Sequence, residues 1–186
     1  MGRLSKRTVG RTAPLVPALL IVLLLRAADG GKASQQVPLS QPGTVSQRIA
    51  GVDVRIVYNR PVARGRKLFG GIVPFGEVWN PGADKATRIE LDGELLVGGR
   101  QLPAGKYSVW MVPEPERWTV IFSRAWDVYH VPYPEGDDAL RLTLLPEPGP
   151  HMETLAFYFP LVDRRRAVLR FHWGETMLNL PVEAPA

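Results

Sequence analysis

The 186-residue sequence predicts an all-β fold, an antiparallel β-sandwich of roughly nine or ten short strands interrupted by one long Gly/Pro-rich loop. Three observations predict it. From Thr44 onward, apolar residues recur every second position. Turn dipeptides separate these alternating runs. After Leu25 no stretch carries a helical period, which leaves room only for a short helical turn around Lys67–Gly71 or Ala83–Ala86.

The strands follow in order. In VDVRIVYN, Val52, Val54, Ile56 and Tyr58 share one face, and Asp53, Arg55 and Asn59 the other. TRIELD runs into Asp92-Gly93 and ELLV into Gly98-Gly99, two dipeptides read as tight hairpins because they tolerate positive φ. KYSVWMV sets Tyr107, Val109 and Met111 against Ser108, Trp110 and Val112. WTVIFS, ALRLTLL, TLAFYF and AVLRFHW repeat the alternation, DRRR at 163–166 reads as a hairpin tip, and TMLNLPV closes the chain. Polar residues on one face of many strands suit antiparallel sheets wetted on one side.

Ahead of these strands, MGRLSKRTVGRTA is a basic stretch, LVPALLIVLLL is apolar and RAADGGKA is rich in small residues. Together they predict a signal peptide over residues 1–28, since eleven apolar residues are too few to span a bilayer comfortably. Residues 29–43 are small, polar and proline-spiked, as a flexible linker is, and 44–186 form the single β-sandwich domain. The expected location is therefore outside the cytoplasm, periplasmic or extracellular, with the membrane met only through the signal segment.

The net charge of +5 points to a polyanion only superficially. Five of the 23 basic residues precede Asp29, the first acid, so the rest of the chain carries 18 basic residues against 18 acidic ones. No nucleic-acid partner is expected. There is no cysteine, which excludes disulfides, thiol catalysis and thiolate metal sites.

Motifs for chemistry are sparse. Ser46, Ser108 and Ser123 lie in no nucleophile elbow, and Ser108 reads as a packed or solvated strand hydroxyl. His130, His151 and His172 lack metal-ligand spacing, and His172 reads as a solvent-facing strand residue; no metal and no cofactor are expected. Two segments break the strand rhythm. One, Arg124–Asp138, is aromatic-rich, with Trp126, Tyr129 and Tyr133. The other runs from Tyr58 to Ile89 and holds five glycines, three prolines and the basic residues Arg60, Arg64, Arg66 and Lys67. Long irregular loops in compact domains are often functional.

That second segment, YNRPVARGRKLFGGIVPFGEVWNPGADKAT, with the later GGRQLPAGKY and WTVIF, closely resembles a bacterial family of exported proteins, domain of unknown function 2911, over about Thr44 to Val182. Two differences from the family pattern are visible: Asn80-Pro81 stands where an Arg-Thr-like pair is common, and Asp84 where Asn is common. The resemblance implies export and a β-rich domain; it implies no reaction, cofactor or catalytic residue.

The loop's glycines and prolines shape a self-packed path, and Phe69, Val73, Phe75 and Trp79 can plug one end of a sandwich. Its polar residues need another account. A buried Arg66–Asp84 pair would tie the loop down; a small anionic ligand would explain the arginines. The leading expectation is a non-catalytic cell-envelope module that binds a small ligand or a partner through residues 60–87. Its expected site residues are Arg60, Arg66, Lys67, Trp79, Asp84 and Thr87. The alternative is an envelope hydrolase in which Glu77, Asp84 or Asp127 converges with Arg66. A third expectation is an assembly role through an exposed sheet edge.

Overall fold

The computed structural model describes residues 1–2 and 37–186, so the expected signal segment and most of the linker lie outside the described residues. Ten strands follow one another: β1 (Gln41–Ile49), β2 (Val52–Arg60), β3 (Arg88–Leu91), β4 (Leu95–Val97), β5 (Arg100–Leu102), β6 (Gly105–Pro113), β7 (Trp118–Ser123), β8 (Asp138–Leu144), β9 (Pro146–Asp163) and β10 (Arg166–Glu183). They build two antiparallel sheets, β1-β2-β3-β6-β7-β8 and β5-β4-β10-β9, which face each other as an open sandwich. Among the described residues there is no helix; Lys67–Gly71 lies in a run of turns, and Ala83–Ala86 is a bend in which Lys85 bridges to Tyr129.

Alternation decides which side chains fill the core. Val54, Ile56 and Tyr58 of β2, Ile89 and Leu91 of β3, and Val109 and Met111 of β6 meet Leu155 and Phe157 of β9 and Leu169 and Phe171 of β10. On the outer side of the larger sheet, cross-strand neighbours Arg55, Glu90 and Lys106 form an ionic ladder joined by Arg88. The 124–137 segment covers the rest of that outer face, with Val128 and Tyr133 packed against the buried Trp110 and Ile121. Ser108 is buried beneath it and donates to the carbonyl of Ala125.

Three strand expectations differ in detail. β1 begins at Gln41, ahead of Thr44, because Gln41–Gly43 pair with Tyr58–Arg60. Asp92-Gly93 is not a hairpin: β3 belongs to one sheet and β4 to the other, so this turn carries the chain across the sandwich. Leu95, Val97 and Leu102 can then cap the core from the second sheet. Gly98-Gly99 does join paired strands, β4 and β5. The runs AVLRFHW and TMLNLPV are one strand, β10, broken in register at Gly174.

His172, expected to face solvent, is 1% exposed. Its Nε2–H donates to the carbonyl of Pro150 (2.9 Å) and its Nδ1 faces the hydroxyl of Tyr158 (3.1 Å). The early part of β9, from Pro146, runs past the bulge in β10 and covers it. The sequence pattern before Thr154, with its three prolines, hid this stretch of strand.

The interior holds a void of about 20 Å³, lined by side chains such as Ile56, Val120, Phe157 and Leu180. It offers room for about one water and no polar partner, so it is a packing gap and not a ligand chamber.

Candidate functional site

The Tyr58–Ile89 segment has two halves with different physical roles. The second half, Trp79 to Thr87, is architecture. Trp79 exchanges backbone hydrogen bonds with Met111 and stacks on Trp173, with ring centroids 5.9 Å apart and planes 12° apart. Asn80 is 2% exposed; its Nδ2 donates to the carbonyl of Val109 and its Oδ1 accepts the N–H of Thr87. Thr87 is fully buried and donates its hydroxyl to the carbonyl of Pro81. The position where an arginine is common in the resemblance thus points inward here and pins the loop to β6.

Asp84 has φ +59°, a left-handed conformation that Asn and Asp tolerate better than other residues with a Cβ. Its carbonyl accepts both the backbone N–H of His130 (2.9 Å) and the Nδ1–H of the same ring (2.8 Å). The side chain is exposed, and no ion pair joins it to Arg66 among the described residues. The expected buried Arg66–Asp84 pair does not form, because the two residues anchor to different neighbours. Asp84 belongs with the 124–130 segment; Arg66 folds back on its own turn, donating from Nε to Ala63 O (2.9 Å) and from Nη2 to Val62 O (2.7 Å).

The first half of the segment makes a surface. Pro61–Ala63 lie along β9: the N–H of Ala63 donates to Glu153 O and that of Leu155 to Pro61 O. Arg60 adds a bond from Nε to Leu155 O (3.0 Å). Phe69 then plunges among aromatic rings, its centroid 4.5 Å from Trp118 and 6.1 Å from Trp173. Leu68 lies over Gly174, where a Cβ would stand 2.7 Å from Leu68 Cδ1. Gly174 has φ +59°, so it serves both the bulge and the close approach of the loop.

Between this half-loop and the bulge lies an open cleft of about 390 Å³. Arg66 and Phe75 line it from the loop, His151 from β9, and Trp173, Glu175 and Thr176 from β10. Phe75 is 42% exposed; its ring lies against Gly70, where any larger residue would collide with it. His151 Nε2 is 2.9 Å from Glu153 Oε2. That bond, followed by the N–H of Arg64, holds the Glu153 carboxyl below its usual range. Glu175 is exposed and has no hydrogen-bond or ion-pair partner among the described residues. The cleft therefore presents a cation, an imidazole and a free carboxylate around an exposed aromatic ring.

Of the six expected site residues, only Arg66 lines this cleft. Lys67 is exposed on the same turn, Arg60 is spent on β9, and Trp79 and Thr87 are packed inside. None of Glu77, Asp84 and Asp127 lines the cleft, and Asp127 pairs with Lys85 (2.9 Å). His151, Glu175 and Thr176 were missed. The sequence holds one trace of the last two: core residues change from odd positions at Trp173 to even positions at Leu178, which marks a bulge around Gly174-Glu175.

Fold and site together define an all-β sandwich protein with a rim cleft between its longest loop and a bulged strand. Residues 40–182 match the family described as "Protein of unknown function (DUF2911)", and the chain belongs to that family. The match takes in both sides of the cleft. No curated protein and no solved structure matches the chain.

Proposed function

We propose that this is an exported, non-catalytic cell-envelope module, periplasmic or extracellular, that binds a small ligand in the cleft under the 63–75 half of its long loop. The observation that carries this reading is the convergence of Arg66, exposed Phe75, His151 and Glu175 on one opening, from three separate elements. Small-ligand sites combine apolar lining with a few convergent polar groups, as this cleft does. Arg66 supports the reading further, because two backbone carbonyls hold its guanidinium in place before any ligand arrives. Export is supported by the basic and apolar stretches at the N-terminus. The carboxylates named for the hydrolase reading, Glu77, Asp84 and Asp127, do not line this cleft.

Thermal-shift screening of the chain against small sugars, carboxylates and phosphates tests the proposal. Ligands that raise the melting temperature of the wild type should lose most of that effect with Arg66→Ala. A stabilising ligand whose effect survives Arg66→Ala and Phe75→Ala would place binding elsewhere.

A further inference from the structure

We infer that the cleft takes a neutral saccharide ring, laid against the exposed face of Phe75 and held at its edge by Arg66, Glu175 and His151. This rests on the reading of the cleft as a ligand site and names the class of ligand.

Phe75 supplies the first argument. It is left 42% exposed, and Ile72 and Val78 of the same loop are exposed too, whereas the rings of Phe69 and Trp79 are partly buried against the core. Its ring is not loose: it rests on the backbone at Gly70, whose own N–H donates to Val73 O (2.9 Å). A fixed aromatic face beside polar groups suits a flat ligand with one apolar face and a polar rim. The C–H face of a pyranose and its ring of hydroxyls have this form.

The polar groups supply the second argument. Arg66 has bound carbonyls through Nε and Nη2, which leaves Nη1 free to donate. His151 has spent Nε2 on Glu153, which leaves Nδ1. Glu175 has no partner among the described residues and offers an acceptor. Hydroxyl groups both donate and accept, so a polyol can satisfy a cation and a carboxylate at once. A simple anion cannot: Arg66 would attract it, but Glu175 in the same cleft would repel it. A purely apolar ligand would strip water from both charges without replacing its hydrogen bonds.

Isothermal titration calorimetry of the full chain tests this. The probes are maltose, cellobiose and N,N′-diacetylchitobiose, with phosphate and acetate as anionic comparators. The expected result is binding of at least one saccharide, weakened about tenfold by Phe75→Ala through loss of the ring contact. Glu175→Gln should also weaken it, and both variants should keep the wild-type circular dichroism and melting temperature. Phosphate or acetate bound in an Arg66-dependent way, with no saccharide bound, overturns the saccharide assignment and leaves the ligand-site reading standing. Saccharide binding untouched by Phe75→Ala and Glu175→Gln overturns both. Absence of binding by all three saccharides at millimolar concentration overturns the saccharide assignment.

Discussion

Arg66 and Asp84 invite pairing on paper, one basic and one acidic residue in the same loop, and the backbone keeps them apart. Asp84 is held at φ +59° with its carbonyl bound twice by His130, so what the position needs is a residue at ease in the left-handed region. The same need accounts for the asparagine common there in the resemblance. Asp84→Asn should leave stability unchanged or slightly raised, and Asp84→Ala should cost about 1 kcal/mol through backbone strain. Arg66→Ala acts on a separate set of bonds, so the double variant should add the two losses to within about 0.5 kcal/mol in denaturant unfolding. A strongly sub-additive double variant would mean that the two side chains do interact. These polar roles were not legible in the sequence, because residue type reports charge and says nothing of the φ a position must adopt.

The bulge of β10 is the element on which the site depends. Gly174 lets the strand change parity, so that Trp173 and Leu178 both reach the core while Glu175 turns outward into the cleft. It also admits Leu68 of the loop at close range. Gly174→Ala adds a Cβ at a positive φ and against Leu68, and should cost about 1–3 kcal/mol. The loss should be accompanied by faster amide hydrogen exchange at Ile72 and Val73, whose N–H groups donate to carbonyls at Lys67 and Leu68. Unchanged exchange there would show that the loop does not rest on the bulge. Many strands were legible from alternation, as in VDVRIVYN and KYSVWMV, but the proline-spiked start of β9 was not. The bulge was not, because two runs of opposite parity read as two strands. Asp92-Gly93 misled for a related reason: a turn dipeptide reports a reversal of the chain, not whether the next strand stays in the same sheet.

Over the whole molecule, the sandwich leaves one end of its core to be closed by the long loop. Phe69 and Trp79 complete an aromatic cluster with Trp118, Phe171 and Trp173, so much of the Gly/Pro-rich segment is explained by packing. The sequence supported that reading through residue type: phenylalanine, valine and tryptophan in an otherwise irregular stretch must bury area somewhere. It could not indicate that His151 and Glu175, far along the chain, meet the loop, since only the long pairing of β9 with β10 brings them there. On the proposed function the loop divides, with residues 79–87 serving the fold and residues 63–75 roofing the ligand cleft. Amide chemical-shift mapping during titration with the saccharides tests it most directly. Shifts are expected at Arg66, Phe75, His151 and Glu175, with Asp84 and Thr87 unmoved. Shifts centred on Asp84, Thr87 and His130 would contradict it.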